Sequence, residues 1–130
     1  MITYCSDRRP ASEAVIALYQ AAPLHRPVDN PARIQQMFAQ ANLVWTAWDG
    51  ERLVGVLRGW TDGAYHGYIC DLAVDAAYHK AGIGRELLRR ATEGAEEVEF
   101  ILRAAATARD YYAHLGWQKV ENGWCQPRTA

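Results

Sequence analysis

The stretch YICDLAV, Tyr68–Val74, constrains the fold more than any other part of the chain. Apolar residues occupy both of its alternating faces, and a strand of that kind is stable only inside a sheet covered on both sides. Asp71 is the lone carboxylate within it. The run DAAYHKAGIGRELLRRA follows, and Ile83, Leu87, Leu88 and Ala91 fall on one stripe of a helix predicted over about Ile83–Glu93. A two-sided strand, a loop with two glycines and an amphipathic helix predict an α/β chain with helices laid on a mixed sheet.

The other segments fit that plan. Met1–Cys5 reads as a first strand and Ser12–Gln20 as a weakly amphipathic helix through Val15, Leu18 and Tyr19. A second helix follows Asn30, a capping residue, with Pro31 suited to the first turn and Ile34, Met37, Phe38 and Ala41 on one face. Leu43–Trp48 and Arg52–Trp60 are β-rich runs joined at Asp49-Gly50, a hairpin signal. Val98–Ala104 reads as the next buried strand and Thr107–Leu115 as a helix with Gly116 as its cap. Around Asn122-Gly123 a closing hairpin is predicted, with Pro127 at an edge. The predicted order is β-α-α-β-β-β-α-β-α-β-β in one domain, residues 1–130.

Charge excludes some functions. Fourteen basic residues face fifteen acidic ones, for a net charge of −1, so a nucleic-acid or membrane-surface role has no support. Cys5, Cys70 and Cys125 are far apart, with no Cys/His spacing for zinc, so neither a disulfide framework nor a metal site is expected. No apolar run is long enough to span a membrane and the first residues lack a signal-peptide core, so a cytoplasmic location is expected.

Gly82 and Gly84 open a helix although glycine is a poor helix former. The first turn of a helix carries unpaired N–H groups and the positive end of the dipole, so it can hold an anion such as a phosphate. Glycine allows the turn and removes the Cβ that would block approach. Lys80 and Arg85 flank the turn, and His79, Arg89 and Arg90 extend the basic group. Leu87 stands where a dinucleotide fingerprint needs its third glycine, and no GxxxxGK[ST] run exists. On the glycines alone, a tight turn with close packing is an equal reading.

LAVDAAYHKAGIGRELL resembles the acetyl-CoA-binding motif of the GCN5-related N-acetyltransferases, Gln/Arg-x-x-Gly-x-Gly/Ala after a strand ending in an LAV-like triplet. ARDYYAHLGW is similar to a later motif of the same family, and the predicted element order resembles its fold along nearly the whole chain. The resemblance implies that the strands at Tyr68–Val74 and Val98–Ala104 splay apart to admit the pantetheine arm of acetyl-CoA. Backbone groups of Leu72 and Val74, with Ala73 between them, would pair with that arm. Backbone N–H groups from His79, Lys80, Ala81, Gly82, Ile83, Gly84 and Arg85 would hold the pyrophosphate. Two positions depart from the pattern: His79 replaces Gln or Arg, and Ala105 stands where many members carry Asn.

The resemblance also assigns chemistry. Tyr112, four residues before Gly116, matches the motif tyrosine that protonates the coenzyme sulfur, although its place on the apolar stripe also fits core packing. Tyr111 is its uninvolved neighbour. The N–H of Leu72 is the natural donor to the thioester oxyanion. Asp71 is the candidate base, since burial would raise its pKa; a carboxylate satisfied by a salt bridge is the competing reading. His66 and His114 are weaker acid/base candidates, Asp75 suits loop shaping, and Cys70 lacks a local partner for nucleophilic work. Trp45, Trp48, Trp60 and Tyr65 fit either cross-strand packing or an acceptor pocket.

The function so implied is N-acetyl transfer from acetyl-CoA to a primary amine. Candidate acceptors are a small amine, an aminoglycoside, a polyamine, a protein N-terminus or a lysine. The alternative is a CoA-binding module that senses without turnover. Exposed terminal strands would leave room for a homodimer.

Overall fold

The structure is a computed structural model that describes residues 1–130. Along the chain it forms β1 (Ile2–Cys5), α1 (Ser12–Ala21), α2 (Pro31–Gln40), β2 (Leu43–Asp49), β3 (Arg52–Thr61), β4 (His66–Val74), α3 (Ile83–Thr92), β5 (Glu99–Leu102) and α4 (Arg109–His114). Short 3-10 turns occupy Ala76–Ala81 and Ala106–Ala108. The strands form one five-stranded sheet in sequence order. Neighbours are antiparallel from β1 to β4, and β5 joins β4 in parallel after crossing over through α3. The α/β class and the order through α4 are as predicted.

Local chemistry accounts for the elements. Asn30 caps α2 by accepting a hydrogen bond from the Arg33 N–H at 3.2 Å, and Pro31 opens the helix. Val15, Leu18 and Tyr19 of α1 join Ile34 and Phe38 of α2 in a core on one face of the sheet, with Val56 and Ala73 beneath. On the other face, Ile83, Leu87 and Leu88 of α3 bury against Val54, Leu57 and Ile69. Each such side chain contributes roughly 1.5–3 kcal/mol. The most enclosed strand is β3, buried from Leu53 to Gly59, with β4 beside it.

The β3–β4 ladder slips between the pairs Arg58↔Asp71 and Gly59↔Ile69, leaving Cys70 as an extra residue in β4. This bulge reverses the alternation of side chains. Ile69 faces the α3 core while Ala73, four residues on, faces the α1–α2 core. In a regular strand the two would share a face.

Three predicted strands are corrected. The strand expected over Val98–Ala104 is confined to Glu99–Leu102 and is only half-buried. The two strands expected after α4 do not form: residues 115–130 contain neither helix nor strand. Gly116 takes φ +88° behind α4 as a cap should, but Gly123 takes no positive φ, so Asn122-Gly123 makes no hairpin turn. The adjacent edge is only four residues long, Pro127 has no N–H to give, and an isolated two-stranded hairpin is marginal in water. Trp124 is accordingly exposed. No helix is long and apolar enough to cross a membrane.

Candidate active site

The strands β4 and β5 pair only over His66–Ile69 and Glu99–Leu102, yet β4 runs on to Val74. Beyond the Cys70 bulge its β5-facing edge therefore has no strand partner. Leu72 and Val74 lie in this stretch and are half-buried, packed against the α3-side core. The separation leaves a groove of backbone groups between the last two strands of the sheet.

At the end of that groove the chain makes the glycine turn. Gly82 sits between the 3-10 turn and α3 with φ +73° and ψ 18°, a left-handed conformation, and a Cβ there would meet nothing within 4 Å. Conformation, not crowding, requires glycine at this position. Having no side chain, Gly82 caps none of the first-turn N–H groups of α3. Gly84 is different. A Cβ at this position would come within 3.0 Å of the Tyr111 hydroxyl and 3.6 Å of Val74 Cγ2. Gly84 therefore keeps the floor of the groove clear. Gly82→Ala is expected to cost about 1 kcal/mol of stability, read as a lowered Tm, while leaving the groove itself open.

The basic residues around the turn divide into two groups. Arg89 and Arg90 are tied to Glu86 at 2.7 and 2.6 Å, and Arg89 also reaches Glu93 at 3.2 Å. These arginines hold the carboxyl of Glu86 well below its usual range. Lys80 and Arg85 are exposed and form no ion pair, so their charge is available at the turn. His79 turns its ring Nε2 to within 3.0 Å of the Val74 carbonyl. Asp75 accepts from the Ala77 N–H at 2.9 Å and pairs with Arg52 at 2.7 Å, which shapes the loop.

Two adjacent tyrosines of α4 reach this side of the sheet. Tyr111 places its hydroxyl over Gly84. Tyr112 packs against the same core as Leu72 and Val74 and meets Trp117 edge-to-face at 6.0 Å. Burial raises the pKa of both hydroxyls; Tyr111 adds to the rise at Tyr112, and Arg85 opposes it at Tyr111. Both stay protonated at neutral pH and so are available as donors.

Asp71 lies on the opposite face, buried against α1. Its Oδ2 accepts from the Tyr19 hydroxyl at 2.6 Å and from Arg58 Nε at 2.6 Å, and its Oδ1 from Arg26 Nε at 2.6 Å. Burial pushes its pKa up, but the two guanidiniums and the tyrosine outweigh that and hold it below the usual carboxylate range. A carboxylate so engaged is a poor base. The geometry matches the salt-bridged reading and opposes the catalytic one.

Comparison with known proteins follows the same outline. The family profile described as "Acetyltransferase (GNAT) domain" matches residues 12–126. The chain belongs to the GNAT acetyltransferase family. Among solved structures it resembles a Staphylococcus aureus protein of unknown function, at 23% identity over 98% of this chain and 99% of that one, with a TM-score of 0.83. A GNAT-family acetyltransferase of Streptococcus pneumoniae matches at 23% identity over 98% of this chain and 100% of that one, TM-score 0.74. The ribosomal-protein-S18-alanine N-acetyltransferase of Escherichia coli matches at 17% identity over 93% of this chain and 80% of that one, TM-score 0.72. These likenesses are of fold. No curated protein matches the chain significantly in sequence.

As a GNAT domain, the chain brings Leu72, Val74, His79, Gly82 and Gly84 to one groove, with Lys80 and Arg85 at its end and Tyr112 on the same side. Asp71 is set apart on the other face. Sequence reasoning missed two features. Tyr111 touches the groove, and Arg26 and Arg58 hold Asp71. Only the adjacency of Tyr111 to the motif residue hinted at the first. Nothing local hinted at the second.

Proposed function

We propose that residues 1–130 form a single acetyl-CoA-dependent N-acetyltransferase domain. The observation that carries this reading is the parting of β4 from β5 above a glycine turn flanked by two unpaired cations. Backbone groups at Leu72 and Val74 have the extended form and direction needed to pair with a pantetheine arm, while Ala73 between them turns its own toward β3. Main-chain N–H groups from His79 to Arg85, with Lys80 and Arg85 beside them, suit a pyrophosphate. The His79 ring must leave the Val74 carbonyl if the arm is to use that acceptor.

Acetyl-CoA supplies a thioester carbonyl. In the proposed reaction the acceptor nitrogen forms a bond to that carbonyl carbon as the carbon–sulfur bond breaks. The amine loses one proton and the departing thiolate gains one, giving an amide and free CoA. Leu72 N–H is proposed to stabilise the oxyanion, and Tyr112, protonated, to donate to the sulfur. Asp71 is already engaged, so removal of the amine proton is assigned to water.

A thermal melt tests the cofactor. Acetyl-CoA at 100 times its dissociation constant should stabilise the chain by about 2.7 kcal/mol, worth several degrees in a domain of this size. Desulfo-CoA should do the same and ATP should not. No shift with either CoA form would remove the basis of the reading.

A further inference from the structure

The sheet face opposite the glycine turn carries charges that the transfer chemistry leaves unused. The Arg58 side chain is 7% exposed and gives only Nε to the protein, at Asp71. Its Nη1 and Nη2 make no hydrogen bond, yet no fully buried polar atom in the chain lacks a partner, so they keep a narrow contact with solvent. Phe38 and Trp60 wall that space, their ring centres 5.8 and 5.4 Å from the guanidinium carbon. Trp60 pairs with Tyr68 across β3 and β4, and both remain more than a third exposed.

Two further arginines stand nearby. Arg26 lines a cavity of about 290 Å³ with Tyr19, Leu24 and His25, but its three nitrogens already donate to Asp71, the His25 carbonyl and the Cys70 carbonyl, so it lends charge and not a free fork. No carboxylate lines that cavity. Arg103 follows Ile101, the register partner of Tyr68, by two residues and forms no ion pair. Its side chain is exposed, with Nη1 3.8 Å from Cys125 Sγ. Two guanidiniums thus face one buried carboxylate, with Arg103 at the strand edge beyond Tyr68, in a protein whose overall charge is −1. An excess of this kind repels polycations, and a guanidinium fork binds carboxylates well.

We propose that this aromatic-walled arginine group is the carboxylate subsite of the acceptor, and that the acceptor is an amine bearing a carboxylate and an apolar or aromatic body, as an apolar α-amino acid does. The proposal rests on the acetyl-transfer reading. It places the acceptor on the Arg58 face and the coenzyme on the glycine-turn face, with the amine meeting the thioester at the gap beyond Cys70. Polyamines and aminoglycosides are excluded as preferred acceptors.

The test is calorimetric binding of reaction products to the CoA-loaded full chain. N-acetyl derivatives of phenylalanine, tryptophan, leucine and methionine are compared with the matching N-acetyl amines that lack the carboxylate, and with N-acetylspermidine. At least one carboxylate-bearing product should bind tenfold or more tighter than its carboxylate-free partner. In Arg58→Lys and in Arg103→Ala that ratio should fall below threefold, with the acetyl-CoA melting shift retained. Arg103 is exposed, so its variant keeps the test readable if Arg58→Lys does not fold. Equal binding across every pair, or a preference for N-acetylspermidine, would overturn the subsite and leave the transfer reading intact if acetyl-CoA still stabilises the protein. Absence of that stabilisation would overturn both.

Discussion

Asp71→Asn should destabilise the protein by about 3–5 kcal/mol, lowering Tm by roughly 10–20 °C in a domain of this size. The carboxylate is 1% exposed and is the counter-ion of Arg58, itself almost fully buried. Neutralising it leaves the guanidinium uncompensated in a low-dielectric setting. Replacing both partners, in Asp71→Leu with Arg58→Met, should cost less than Asp71→Leu alone, because the buried Arg58 charge is then no longer orphaned, while Arg26 and Tyr19 lose Asp71 in both variants. The pH dependence has a definite sign. The folded pKa of Asp71 lies below its ordinary value, so the folded state binds fewer protons. Its contribution is full above the ordinary carboxyl range and is lost as pH falls through the folded value. Wild-type stability should therefore decline in acid below about pH 4, and the Asn variant, already lacking the contribution, should decline less steeply. Denaturant melts of both proteins between neutral pH and acid would measure this. Parallel curves would remove Asp71 from the account.

Tyr112→Phe should lower kcat by about 10²–10⁴ and leave acetyl-CoA affinity within threefold. The Tyr112 ring packs against Trp117 and the α3-side core, and its hydroxyl makes no hydrogen bond within the protein. Phenylalanine keeps that packing, so stability should change by no more than about 0.5 kcal/mol. Tyr111→Phe serves as the control, because the Tyr111 hydroxyl borders the groove at Gly84. It should alter acetyl-CoA binding more than turnover. A large loss of kcat in the Tyr111 variant and not in the Tyr112 variant would exchange their roles. A chain that binds acetyl-CoA and transfers nothing with either tyrosine intact would instead be a sensing module.

The β4–turn–α3 unit was legible because its signals are local: a two-sided apolar run, two glycines and a helical stripe within about 25 residues. Hairpin β2–β3 and the Asn30 cap were legible for the same reason. The surroundings of Asp71 were not. Its partners Tyr19, Arg26 and Arg58 lie 52, 45 and 13 residues away, and no periodicity links them. The bulge at Cys70 left one trace in the sequence. Gly59 sits mid-strand opposite it, where a Cβ would collide with the Tyr68 carbonyl. The terminal strands were predicted from a turn dipeptide and flanking apolar residues, which describe a hairpin without supplying a surface for it to bury.

The sequential strand order has a kinetic consequence. A sheet whose spatial neighbours are also neighbours along the chain can grow outward from the β2–β3–β4 meander, with β1 and β5 added across the longer helical connections. The Tyr19–Asp71 contact spans 52 residues and closes only when α1 lands on the finished β3–β4 face. The charge group is then a late latch. Its loss should act mainly by quickening unfolding, with the refolding rate little changed.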